Sequence, residues 1–187
     1  MRTPYLSIEK MLGMVKEPHR SLCAKIFLEN RKLFEAAPGS SHNHQTWKGG
    51  YLDHVQESMN IGIAFYALLN GIRPLPFSLS DALLILFLHD IEKPWRYAKK
   101  SEHGASLETK KEKRAFRNKK LREYGFKLTE KQQNAMKYVE GESDDYSSMR
   151  RVMNPLAAFC HLADVTSSRI WFDYPLSRND SWKKSRD

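Results

Sequence analysis

The sequence predicts an all-α fold, and three observations carry that expectation. Apolar residues recur at three- and four-residue steps in almost every segment, no stretch alternates apolar and polar residues as a half-buried strand would, and several boundaries carry helix-capping residues. With 187 residues, 41% of them hydrophobic and 28% charged, the chain can bury a core without covalent staples. It reads as one domain with its core at about 42–171.

The elements follow in order. Residues 5–17 and 21–36 read as two helices, the second carrying Leu22, Ile26 and Leu33 on one face. Pro38-Gly39-Ser40-Ser41 breaks the pattern and opens a polar loop over 42–50 that closes on paired glycines. Leu52, Val55, Met59, Ile63 and Tyr66 mark a helix that stops at Asn70-Gly71, and Arg73-Pro74-Leu75-Pro76 is a stiff connector. Ser78 with Asp81 three residues on resembles a capping box for the next helix. That helix holds the most apolar run, Ala82 through Leu88, reaches His89-Asp90 and is expected to end near Pro94, because the residue before proline disfavours helix.

Residues 99–107 read as a polar loop, followed by a basic helix to about Tyr124, a helix over 129–139 and a loop over 141–145. Asn154-Pro155 is a helix start, N-cap then proline at the first position. The helix it opens carries Leu156, Phe159, Cys160 and Ala163 and ends before Pro175, while the polar tail 177–187 is expected to fray.

Charge and cysteine usage narrow the function. Lys+Arg 31 against Asp+Glu 22 gives +9, with a pI near 9.5, which favours a polyanionic partner: nucleic acid or a phosphorylated small molecule. Cys23 and Cys160 lie far apart and outside any CxxC spacing, so a disulfide framework or thiolate zinc site is not expected. That usage suits a reducing cytosol. The first residues do not read as a signal peptide, and no apolar run is long enough for a bilayer. A soluble cytoplasmic protein without membrane partners is expected.

The candidate site begins at His89-Asp90. An imidazole and a carboxylate directly after a core-forming run are costly to bury unless something pairs with them, and a divalent cation is the natural candidate. Exposed capping residues at a helix end are the plainer alternative. Two further helices carry similar residues. His54 follows Gly49-Gly50 near the start of its helix, and Asp164 stands between Ala163 and Val165 in mid-helix, where a carboxylate is poorly solvated. Nitrogen and oxygen ligands spread over several helices are how bundles build metal sites.

The ordered set Gly-Gly-x-x-x-His, an apolar run ending in His-Asp with Lys93 four residues after the His, and a late Ala-Asp resembles the HD-domain metal-dependent phosphohydrolases, over about residues 42–171. That resemblance implies a single helical HD-type bundle with a metal site in its core. It makes His54, His89, Asp90 and Asp164 the ligands of a divalent ion (Mn, Zn, Co, Fe or Mg), with one ion expected rather than two. Asp90 and Lys93 then belong to the catalytic set, Lys93 meeting a substrate phosphate. The reaction implied is hydrolysis of a phosphate ester of a nucleotide or related small molecule by metal-activated water. The wording from Asn43 to Gly50 is also similar to small HD proteins encoded by bacteriophages, and the surroundings of His54 resemble HD-type 3′–5′ exoribonucleases. A nuclease acting on single-stranded nucleic acid, and a non-enzymatic basic nucleic-acid-binding module, therefore stand as alternatives.

Further residues are candidates or bystanders. His44, in the loop before His54, is preferred over His42 as a phosphate contact, and His103 is a candidate substrate contact or second-metal ligand. His161 shares a helix face with Asp164 and reads as a core histidine or a partner of that carboxylate, while His19 reads as structural. Glu92 is a candidate general base, with an ion pair to Lys93 or Arg96 as its alternative role. Trp95 and Tyr97 can stack a base or simply pack. Arg169, five residues past Asp164, is offset by about 140° on an α-helix and so is placed outside the ligand shell. The run from Lys110 to Arg122 carries one acid among eight bases over a thin stripe of Phe116, Leu121 and Tyr124. It is either a solvated face or an electrostatic guide for anionic substrate.

Overall fold

A computed structural model describes residues 3–98, 107–176 and 180–183. Among them the regular structure is helical throughout: α1 (Ile8–Leu12), α2 (His19–Glu29), α3 (Arg31–Ala36), α4 (Gly50–Ile72), α5 (Leu79–Leu88), α6 (Lys93–Tyr97), α7 (Lys110–Glu123), α8 (Glu130–Tyr138) and α9 (Pro155–Val165). A 3₁₀ turn (Ser143–Asp145) follows α8, and a π turn (Thr166–Ile170) continues α9. The all-α expectation holds.

Local chemistry sets most boundaries. Ser78 and Asp81 exchange side-chain and backbone hydrogen bonds in a capping box at the start of α5. Thr129 does the same with Gln132 at α8, and Thr109 with Glu112 at α7. Asn154 accepts from the Ala157 amide and Pro155 fills the first turn of α9.

Four expectations need correction. The helix expected over 5–17 shrinks to α1, which ends at Leu12 with Gly13 as its C-cap, although Tyr5 and Val15 are still buried. The helix expected over 21–36 is two: Asn30, off helical dihedrals, gives its side-chain amide to the Ile26 carbonyl at 2.8 Å and to Tyr124 Oη at 2.8 Å. Pro94 opens α6 rather than merely ending α5, because proline's missing N–H costs nothing in a first turn. Of the tail expected to fray, 177–179 and 184–187 lie outside the described residues, and in 180–183 Trp182 packs edge-on against Tyr5 at 5.2 Å and Trp171 at 5.8 Å, its indole N–H reaching the Thr3 carbonyl at 2.7 Å.

The core is the junction of α4, α5 and α9, with α8 packed on α9. Leu83, Leu84, Ile85, Leu86, Phe87 and Leu88 of α5 are all buried, so that helix is enclosed on every side. Gly62 lets α4 approach it, since a Cβ there would come within 2.7 Å of Leu86 Cδ1. Phe34 joins α3 to Tyr51 and Trp95, with ring centroids 5.3 and 5.8 Å away. At the margin, α7 is held by Leu121, by Phe116 against Trp95 at 5.9 Å, and by Arg117, which turns inward. No helix among the described residues is long and apolar enough to cross a membrane.

Candidate metal centre

Three helices bring four ligand-type side chains to one point. The first three turns of α4 are buried almost all round, which puts His54 in the interior at 0% exposure. His89 caps α5 and Asp90 follows it in the turn to α6, while Asp164 comes from the last turn of α9. His54 Nε2 lies 3.1 Å from Asp164 Oδ1, 3.3 Å from His89 Nε2 and 3.6 Å from Asp90 Oδ2. His89 Nε2 lies 3.3 Å from Asp90 Oδ2 and 3.5 Å from Asp164 Oδ1. Ligands about 2.1 Å from an ion at octahedral to tetrahedral angles stand about 3.0–3.4 Å apart, so these spacings suit a shared cation.

The far sides of both imidazoles are fixed. His89 Nδ1 donates to the Leu86 carbonyl at 2.8 Å. Ser167 Oγ donates to Glu57 Oε2 at 3.0 Å, so its oxygen accepts from His54 Nδ1 at 3.1 Å. Each ring thus carries its proton on Nδ1 and turns Nε2 toward the cluster, the orientation metal-ligating histidines need. Two Nε2 atoms and two carboxylates facing one another require a positive charge between them, a proton or a metal ion.

The titration directions agree. Burial pulls His54 below the usual imidazole value despite Asp164 beside it. Burial works the same way on His89, but Asp90 and Asp164 overcome it and push that ring well above its ordinary value. Burial would raise Asp164, yet the imidazoles of His54 and His89 set against it hold it well below the carboxylate range. Asp90 is held low against burial by Lys93 and His89. The centre attracts cations, and His54, His89, Asp90 and Asp164 can hold a metal ion.

The loop before α4 is folded onto this centre by the two glycines. Gly49 sits at φ +84, and a Cβ on Gly50 would strike the Gln45 carbonyl at 1.9 Å. Gln45, fully buried, gives its amide to the Trp171 and Tyr174 carbonyls at 3.2 and 3.0 Å and accepts from His44 Nδ1 at 2.6 Å. His44 is thereby set against His54, with ring centroids 4.6 Å apart. Burial and the charges of His54 and Lys93 push its pKa down to about 4.

A cavity of about 290 Å³ opens over the cluster, lined by His44, His89, Asp90, Glu92, Lys93, Arg96, Lys113, Glu140, His161, Asp164, Ser168 and Arg169 among others. Larger hollows of about 620 and 550 Å³ flank α7, but neither is lined by a histidine. Lys93 reaches Asp90 Oδ2 at 2.5 Å. The nearest cation to Glu92 is Arg117 at 3.9 Å rather than Lys93 or Arg96, and burial pushes its carboxyl up to about 7 against the pull of Arg117. His161 is half-buried, bonded to the Val139 carbonyl at 2.7 Å, and lines the cavity instead of pairing with Asp164. His42 is exposed, His19 bonds the Lys127 carbonyl at 3.1 Å, and Trp95 packs in the core. His103 lies outside the described residues.

Arg169 corrects the helical-wheel argument. The π turn closes at i→i+5, with the Trp171 amide 3.1 Å from the Thr166 carbonyl, so residues five apart come back toward alignment. Arg169 therefore lines the same cavity as Asp164, and Ser167 reaches His54. Sequence reasoning also missed Glu57, Gln45 and Arg117. Glu57 had a signal: it stands one turn after His54, between apolar Val55 and Met59.

No family model, curated protein or solved structure matches the chain. What the fold and the cluster define is an all-α protein with a buried His/Asp centre able to hold a metal ion.

Proposed function

We propose that the chain is a metal-dependent phosphohydrolase of HD-domain type that cleaves a phosphate ester of a nucleotide or related small molecule. One observation carries this reading: His89, Asp90 and Asp164 line a cavity, with His54 buried directly behind them, and Lys93, Arg96, Lys113 and Arg169 line the same cavity. A metal-binding floor under four basic side chains suits a phosphoryl group. A divalent ion there supplies a Lewis acid and draws the pKa of water toward about 7.

The chain's own residues do the rest. Ser167 and the Leu86 carbonyl hold both imidazoles in the ligating tautomer. Lys93, at the start of α6, offers its ammonium to charge developing on phosphoryl oxygens. Neutral His44 has Nδ1 engaged by Gln45 and keeps Nε2 as an acceptor, suited to a hydroxyl or water more than to phosphate oxygen. Glu92 lines the cavity with a carboxyl that exchanges its proton near neutrality, as a general base requires. At about 290 Å³ the cavity fits a phosphate and part of a sugar.

A nuclease is the second reading, favoured by the larger groove along α7, which shares Lys113 and Glu140 with the cavity. A screen of nucleoside mono-, di- and triphosphates and short oligonucleotides, with added divalent metals and products read by mass, tests both. Metal-dependent release of phosphate that disappears in Asp164→Asn is expected. Absence of any hydrolysis in protein shown to be metal-loaded would leave the non-enzymatic module.

A further inference from the structure

Arg117 belongs to the basic run of α7, yet it is 6% exposed while Arg114, Asn118 and Lys119 are exposed. Its Nη1 donates to the His89 carbonyl and lies 3.4 Å from Glu140 Oε1 and 3.9 Å from Glu92 Oε2. Its Nη2 donates to the Met136 carbonyl at 3.4 Å. The carboxylates of Asp90, Glu92 and Glu140 each offer an oxygen within 4.8 Å of the others, a spacing that could itself hold a cation. Asp90 Oδ2 also stands 3.6 Å from His54 Nε2 and 3.3 Å from His89 Nε2, so an ion held there would be the immediate neighbour of one held by His54, His89 and Asp164. Glu92 Oε2 is buried and has no hydrogen-bond partner. Lys93 already pairs with Asp90, and Arg117 is the cation placed against the other two carboxylates, Glu92 and Glu140.

We infer that the Arg117 guanidinium holds the place of a second ion, so that the centre takes one divalent metal and not two. The inference rests on the metal-binding reading of His54, His89, Asp90 and Asp164. A guanidinium stays protonated at any working pH, so it cannot yield its place by losing a proton as a lysine could. Its planar fork is also tied to two backbone carbonyls, which keeps it between Glu92 and Glu140 when solvent ions compete. Arg117 is a positioning residue in this account: it lies outside the cavity over the ligand cluster and acts through the charge it places against Glu92 and Glu140.

The test counts ions. The full chain is saturated with Mn(II), exchanged into metal-free buffer and measured by elemental analysis, with electron paramagnetic resonance separating isolated from spin-coupled ions. One isolated ion per wild-type chain is expected, two coupled ions in Arg117→Met, and one again in Arg117→Lys, whose ammonium restores the charge. Should Arg117→Met fail to fold, Arg117→Gln carries the same expectation, because its amide can still bond a backbone carbonyl. Two ions in the wild type, or one in both uncharged variants, overturns the role of Arg117 while leaving the metal centre standing. No ion in the wild type overturns the centre and this inference together.

Discussion

The ligand cluster and the outer face of α7 both concentrate ionisable side chains, and they are built in opposite ways. In the cluster each imidazole is gripped from behind, His54 by Ser167 and His89 by the Leu86 carbonyl, and all the groups are buried or nearly so. On α7, Lys111 and Arg114 are exposed, and Lys110, Lys111, Lys113 and Arg114 make no ion pair with a described residue. Burial with fixed orientation makes charge expensive to change, whereas exposure leaves it screened and replaceable. The cluster is where chemistry can be specified, and α7 is where approach can be steered. Single substitutions should therefore have large effects in the first and small ones in the second.

The largest effect is expected from the ligands. His89→Ala and Asp90→Ala should each lose bound metal and hydrolysis, with affinity falling by more than the roughly 10–100-fold typical of outer-shell changes. Helical content by circular dichroism should stay, since α5 is already complete at Leu88. Variants that keep full metal occupancy would break the comparison at its root. Lys93→Ala comes next: turnover should fall by roughly 10²–10³, the scale for removing a donor to a developing oxyanion. Metal content should be kept, because an ammonium cannot ligate. Metal lost together with turnover would show that Lys93 serves only to place Asp90.

A smaller loss is expected behind the ligands. Ser167→Ala removes the acceptor that keeps the His54 proton on Nδ1, and metal affinity should weaken by about 10–100-fold without abolition. Unchanged affinity would mean that packing alone orients the ring.

Glu57, one step further back, gives a pH signature instead. Burial pushes its carboxyl up from 4.5 to about 8, against the hydrogen bond from Ser167. Above pH 4.5 the unfolded chain ionises this group while the folded chain keeps it protonated, so the unfolded state binds fewer protons. Stability should then fall as pH rises from 4.5 to 8, by at most about 1.4 kcal/mol per pH unit. Glu57→Gln, neutral throughout, should flatten the profile of thermal midpoint against pH in that window. An unaltered profile would show that Glu57 is ionised in the fold.

How much of this was legible in the sequence differs along the same divide. His-Asp after an apolar run, the capping residues at Ser78 and Asn154, and the paired glycines before His54 are local signals: the structure buries the doublet, caps both helices and closes the loop on the glycines. What stayed hidden depends on neighbours distant in sequence. Ser167 meets His54 across 113 positions, and nothing around it marks the π turn that aims it. Arg117 was masked by the basic residues beside it, although its place four residues before Leu121 puts both on the buried face of α7. The break at Asn30 was hidden because the apolar period runs on through it from Ile26 to Leu33.

The smallest effect is expected on α7. Replacing Lys110, Lys111, Lys113 and Arg114 with Gln removes four charges, and only Lys113 among them lines the cavity over the ligands. For an oligonucleotide lying along the groove these residues share, each lost phosphate contact should flatten the log–log salt dependence of binding by about one unit at most. For a mononucleotide met inside the cavity, affinity at physiological salt should change little. The structure favours the second outcome, because the aromatics of this segment are already engaged. Phe116 packs against Trp95 with Lys120 over both rings, and the Tyr124 hydroxyl receives the Asn30 amide. Tyr138, which lines that groove, is buried with Lys137 over its ring, so bases of a single strand would find positive charge along α7 but little ring surface to stack on, and charge without stacking holds single strands weakly. A loss of affinity confined to oligonucleotides would reverse that ranking and make α7 part of the substrate site.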